Sequence, residues 1–153
     1  MRRFLAAILV VLVVGVSIAP AQEAGSFTRK EDVIYGRKFG TALTMDVFTP
    51  KENANGAGVI LCVSGGWFSS HENINLAFFK EFLKRGYTVF AVVHGSQPKF
   101  NLEEITQDMH RATRYIRAHA KDFGILRGLD DEGFHVAIGR FQPNMVFFVV
   151  IAF

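Results

Sequence analysis

Apolar residues alternate with polar ones, run on unbroken, or recur at helical spacing in successive parts of this chain, and each habit predicts an element. Residues 33–39 read as a strand, and Leu43-Thr44-Met45-Asp46-Val47-Phe48 alternates as its hairpin partner across a turn at Gly40-Thr41. Thr49-Pro50 ends the pair, and residues 51–58, rich in Asn and Gly, form a solvent loop. Val59-Ile60-Leu61-Cys62-Val63 shows no alternation, which is the pattern of a central strand covered on both faces. From Ile74 the period becomes helical. Ile74, Phe78, Phe79, Phe82 and Leu83 share one side, Lys80, Glu81 and Lys84 the other, and Gly86 provides the stop. Residues 87–93 are the next buried strand. A strand, a helix and a strand within about 35 residues make a βαβ unit with parallel strands.

Asn101 and Glu104 are spaced as a capping box, and Leu102, Ile105, Met109, Ala112, Ile116 and Ala120 follow at intervals of three and four. The opposite face carries Arg111, Arg114, Arg117 and Lys121, an ordinary solvated face, and Gly124 closes the helix. Alternation of strand and helix then calls for a parallel strand, for which residues 134–139 are the candidate.

The two ends of the chain depart from this alternation. Arg2 and Arg3, an apolar stretch over residues 4–18 and the small residues Ala19-Pro20-Ala21 have the three parts of a secretory signal, with cleavage expected after Ala21. The protein is then secreted or periplasmic; the alternative is a membrane anchor formed by residues 4–19. Residues 22–30 are a polar linker, 31–125 the folded domain and 126–153 a tail. The last nine residues, 145–153, are uncharged and apolar, too short to span a membrane as a helix but able to pair with an open sheet edge or to promote self-association.

Composition narrows the classes. The chain has 153 residues, half of them hydrophobic and 16 of them Phe, which fits one domain with a proper core. Its formal charge of +3 falls to +1 once Arg2 and Arg3 leave with the signal, so no nucleic-acid partner is expected. The single cysteine, Cys62, lies within an apolar run and reads as a small buried hydrophobe. No G-x-G-x-x-G or P-loop pattern opens a helix, so no cofactor is expected. His71-Glu72 is not followed by a second histidine at zincin spacing, so no metal site is expected either. Asp108 and Arg111, three apart, read as a local surface pair.

Chemistry concentrates where the first buried strand opens into Ser64-Gly65-Gly66-Trp67, a loop whose bare backbone N–H groups could hold an oxyanion. Together with Leu43-Thr44-Met45-Asp46-Val47-Phe48 leading to Pro50, Arg85-Gly86-Tyr87, Val89-Phe90-Ala91-Val92-Val93 and Gln107-Asp108-Met109-His110-Arg111-Ala112, this loop resembles the N-terminal half of an α/β-hydrolase. The nearest branch is that of feruloyl esterases and hormone-sensitive lipases, and the likeness runs from Glu31 to Gly124. The resemblance implies an α/β fold: a partial α/β-hydrolase sheet in three layers, with an antiparallel N-terminal hairpin followed by parallel βαβαβ. It also implies a carboxylic-ester hydrolase acting on small-molecule, carbohydrate or lipid esters. Of the catalytic machinery it assigns only the oxyanion-hole loop, Gly65, Gly66 and Trp67. Aligning the tryptophans gives the role to Gly65 and Gly66; aligning the glycines gives it to Gly66 and Trp67.

After Gly124 the likeness stops. If residues 134–138 stand for the nucleophile strand, Gly139-Arg140-Phe141-Gln142-Pro143 occupies the G-x-S-x-G elbow and Phe141 replaces the serine. Nucleophile, acid and histidine are all missing from the pattern, which suggests a truncated or frame-shifted reading. A pair of Ser64 with His94, at the ends of adjacent parallel strands, is the only substitute, and His94-Gly95-Ser96 reads more simply as a polar loop. The rival functions are a noncatalytic binding or assembly protein and a fragment without activity.

Overall fold

The computed structural model describes residues 27–126 and, as backbone, the strands Phe134–Arg140 and Val146–Ala152. The expected signal (1–21), the first part of the linker (22–26) and the elbow position at Phe141 lie outside the described residues. Among the described residues no helix is long and apolar enough to cross a membrane.

Strands β1 (Phe27–Lys38) and β2 (Thr41–Pro50) form the antiparallel hairpin. Phe39 and Gly40, with φ of 47° and 74°, make its turn, one residue earlier than the sequence suggests. Positive φ at both central residues is the twist that a two-residue hairpin favours. β1 also starts earlier: Phe27 to Lys30, read as linker, pair with Pro50 to Val47. Two interactions hold this extension. The Phe27 ring meets Phe48 edge-on at 5.8 Å, and Arg29 reaches the buried Asp46 with Nε at 2.9 Å.

β3 (Gly58–Val63) and β4 (Thr88–Val93) are parallel and in register from Gly58 opposite Thr88 to Val63 opposite Val93. Every residue of β3 is buried, as its unbroken apolar run requires. On one sheet face Met45, Ile60, Phe90 and Val92 pack beneath Ala112 and Ile116 of helix α2 (Leu102–Ala118). On the other, Phe48, Val59, Leu61 and Val89 meet Phe79 and Leu83, the latter on helix α1 (Lys80–Lys84). The sheet is thus the middle of three layers. The capping box is present in full, with Asn101 accepting from the Glu104 amide and Glu104 from the Asn101 amide.

Two elements differ from expectation. The helix read from Ile74 onward is replaced by 3-10 turns at His71–Asn73 and Leu76–Phe78, followed by the five residues of α1. Ile74 and Asn75 take extended backbone, and the Asn75 side chain accepts from the Ala77 amide, a local bond that competes with helix propagation.

The second difference lies at the far side of the sheet, whose order is β1-β2-β4-β3-β6-β5. β5 (Phe134–Arg140) is a strand but, among the described residues, pairs only with β6 (Val146–Ala152), antiparallel over its whole length. β6 in turn lies antiparallel beside β3, from Gly58 opposite Ala152 to Leu61 opposite Val149. β3 therefore has two neighbours, but the second is the terminal apolar run and not a strand delivered by crossover. A short connection favours local antiparallel pairing, and the resulting ribbon covers the open edge of β3.

Candidate active site

The parallel pairing of β3 and β4 brings their carboxyl ends to one edge of the sheet, where ligands bind in open α/β folds. There β3 runs into a tight reversal. Gly65 donates its amide to the Phe68 carbonyl at 2.9 Å and accepts from the Phe68 amide at 3.0 Å. Gly66 and Trp67 between them have φ of 57° and 70°. Glycine adopts that conformation without cost; tryptophan does not, and a bulky side chain there costs about 1–2 kcal/mol. Among the described residues neither the Gly66 nor the Trp67 amide has a hydrogen-bond partner. A Cβ added at Gly65 or Gly66 would meet no atom within 4 Å, so the turn stands clear of the sheet.

The turn is anchored to the loop that follows β4. Ser69 donates its hydroxyl to the Val63 carbonyl and accepts from the His94 amide at 3.1 Å, joining the ends of the two parallel strands through one oxygen. The Ser96 hydroxyl closes a second bridge, accepting from the Ser69 amide at 2.8 Å and donating to its carbonyl. Gln97 donates its amide to the Trp67 carbonyl. Sequence reasoning missed both serines. Their place in polar segments just after adjacent parallel strands was the available signal.

His94 is buried under this loop, and it does not join Ser64. Its Nδ1 lies 2.6 Å from the Gly95 carbonyl, which can only accept, so Nδ1 carries the proton. Nε2 is left buried without a partner among the described residues. Beside it, Asp108 accepts from the Gly95 amide at 3.1 Å and from Lys38 Nζ at 2.8 Å, while Lys38 sits 4.2 Å over the Phe100 ring. Asp108 is therefore a core residue and not the surface partner of Arg111, which instead donates to the Arg37 carbonyl.

Burial pushes the pKa of His94 below its ordinary 6.5, and Lys38 adds to the effect; the Gly95 carbonyl and Asp108 oppose it. Below pH 6.5 the unfolded chain takes up a proton that the folded site resists, so stability is lost as pH falls through that range. His94→Gln is expected to flatten this loss by up to about 1.4 kcal/mol per pH unit, the limit for one proton. Urea titrations of both proteins between pH 7 and 5 measure the difference, and parallel slopes would remove His94 as the cause. The Cys62 thiol, likewise buried, is pushed up to about 12, which removes it as a nucleophile at neutral pH.

A mixed sheet that begins with an antiparallel hairpin, continues in parallel βαβ and carries a glycine turn at the carboxyl end of a central strand is the N-terminal part of an α/β-hydrolase. Residues 45–130 match the family model of BD-FAE, an esterase-like domain, and the chain belongs to that family. No curated protein sequence matches the chain.

Solved structures share the fold. Esterase B from Lactobacillus rhamnosis superposes with a TM-score of 0.57 at 19% identity, over 67% of this chain and 33% of that one. Carboxyl esterase 2 from Tuber melanosporum gives 0.56 at 17% identity, over 69% and 34%. A truncated carbohydrate esterase from gut microbiota gives 0.54 at 26% identity, over 68% and 38%. The matched part of each is about a third of its length.

Proposed function

We propose that this chain is the oxyanion-side portion of an exported carboxylic-ester hydrolase, with the amides of Gly66 and Trp67 as the donors of the oxyanion hole. The observation that carries the reading is the turn itself. Its outer amides are free among the described residues and its Gly65 amide is spent on Phe68, which favours Gly66 and Trp67 over Gly65 and Gly66. Donors fixed before the reaction stabilise developing charge without reorganising, and the Ser69 and Ser96 bridges supply that rigidity here. Left-handed backbone at a tryptophan, held by its surroundings, is strain of the kind that collects at functional sites. Esters of small molecules, carbohydrates or lipids are the substrate class, and the segment 1–21 directs export.

The 153 residues alone are expected to be inert. They contain no G-x-S-x-G, and the second half of an α/β-hydrolase oxyanion hole is the amide that follows the nucleophile. A triad-less site with a whole hole keeps roughly 10³- to 10⁴-fold over water, and half a hole keeps less. Mixing the chain with an activated ester should give no burst and no acylated protein. Acyl labelling of Ser64 at one per chain would overturn the reading. Genomic DNA downstream of codon 125, read in three frames, tests the larger claim. A serine elbow with Asp and His in another frame should restore turnover, and Trp67→Pro in that repaired chain should lower kcat by at least about 10²- to 10³-fold, because proline removes the donor and also cannot hold φ of 70°.

A further inference from the structure

On the hairpin side of the molecule three segments bring a histidine and two carboxylates together. Asp32 lies in the irregular stretch of β1 between Lys30 and Val33, Asp46 is in β2, and His71 opens the 3-10 turn four residues after Trp67. One ligand atom from each lies within 4.8 Å of the other two. Asp46 is fully buried, while the Asp32 side chain is 74% exposed and free to adjust.

The two oxygens of Asp46 have different work. Oδ2 accepts from two nitrogens of Arg29, Nε at 2.9 Å and Nη2 at 2.5 Å. Oδ1 accepts the Asp32 amide at 3.1 Å and faces Nδ1 of His71 at 3.2 Å. On the other side of the ring Nε2 lies 2.8 Å from the Thr44 hydroxyl and 3.3 Å from Asp32 Oδ1, so the exposed Asp32 side chain has to turn to reach the Nδ1 side. Among the described residues no hydrogen bond joins Nδ1 to Asp46. In the tautomer that donates from Nε2 to Thr44, Nδ1 is unprotonated and lies 3.2 Å from a buried carboxylate oxygen. A cation between the two atoms would relieve that contact, as would a ring proton on Nδ1 with Thr44 donating to Nε2.

We propose that Asp32, Asp46 and His71 form a divalent-cation site of the zinc class, with Nδ1 and Oδ1 as two ligands, an Asp32 carboxylate oxygen as the third and solvent as the fourth. The spacing suits it: ligands at about 2.0–2.1 Å from a tetrahedral ion stand about 3.3 Å apart. Thr44 then holds the remaining ring nitrogen in the way that outer hydrogen-bond partners orient metal-bound histidines. Charge suits it as well. Asp32, Asp46 and Glu31, which lies 3.2 Å from Arg29, outweigh the single guanidinium when the imidazole is neutral. A bound ion would clamp the β1–β2 hairpin to the loop that carries the glycine turn. The sequence hides the site because its ligands come from three separated segments and form no spaced motif.

Calorimetric titration of the full chain with zinc chloride, alongside the cobalt absorption spectrum, tests the proposal. The expected result is one ion per chain, a raised Tm on loading, and visible cobalt bands of tetrahedral intensity. Asp32→Asn and His71→Ala should each weaken binding at least about tenfold, while His110→Ala, on the exposed face of α2, should leave it unchanged. Asp32→Asn alters an exposed side chain, so it remains informative should His71→Ala fail to fold. No saturable binding, or binding that survives both ligand changes, would show the cluster to be an ion-pair network only.

Discussion

Replacing Gly86 with alanine should destabilise the fold by about 3–5 kcal/mol, the largest effect expected of a methyl group added at any of the described glycines. Two costs add. Gly86 has φ of +85°, where an L side chain costs about 1–2 kcal/mol. An added Cβ would also stand 2.1 Å from the Asn53 carbonyl oxygen and 3.1 Å from the Asn55 amide nitrogen, both backbone atoms. Relief requires the loop before β3 to move away, which breaks the bond from the Asn55 amide to the Gly86 carbonyl at 2.9 Å and that from the Asn55 side chain to Arg85 at 3.0 Å. Gly40 is the internal control. Its φ is +74°, but a Cβ there meets nothing within 4 Å, so Gly40→Ala should cost the backbone share alone. Urea unfolding of the two variants separates the shares, and equal losses would mean that the Asn53 loop yields freely.

Gly86 also illustrates what the sequence makes legible. A glycine after a helical stretch and before an apolar run reads as a stop, and so it is, but the partner that forbids any other residue is 33 positions upstream. Local signals transferred well. The unbroken run at β3 is buried on every residue, the Asn101 and Glu104 spacing is a closed capping box, and Gly124 ends its helical segment in left-handed backbone. All three rest on chemistry within a few residues of chain.

Where the reading failed, a competing contact was the cause. Periodic aromatics from Ile74 suggested a helix, yet Phe78 is exposed and the Asn75 side chain diverts the backbone. Arg111 was assigned to Asp108 by helical spacing, but its stem lies where a Cβ on Gly36 would come within 2.5 Å, and its guanidinium caps the Arg37 carbonyl. The glycine turn was visible as a motif, while the choice of which amides remain free depended on the closure from Gly65 to Phe68. The Ser69, Ser96, Asp46 and His71 interactions were invisible, since each joins segments brought together only by the sheet.

Asp108→Ala should cost about 3–5 kcal/mol, comparable to the loss at Gly86 but of electrostatic origin. The carboxylate is buried and accepts from both the Lys38 ammonium and the Gly95 amide. Removing it leaves an ammonium that is only 12% exposed without its counter-charge, and a buried amide without an acceptor. The Phe100 ring at 4.2 Å offsets part of the first loss, since a cation over an aromatic face is worth about 0.5–2 kcal/mol, but it cannot accept from Gly95. Removing both charges tests the origin. Lys38→Met in the Asp108→Ala background should recover about 1–3 kcal/mol, because the long apolar side chain keeps the packing on Phe100 while the unpaired charge is gone. Urea denaturation of the single and double variants measures the recovery. If the double variant is instead less stable than Asp108→Ala alone, Lys38 stabilises the fold through Phe100 and the Glu104 carbonyl independently of Asp108, and the buried pair is not what holds β1 to α2.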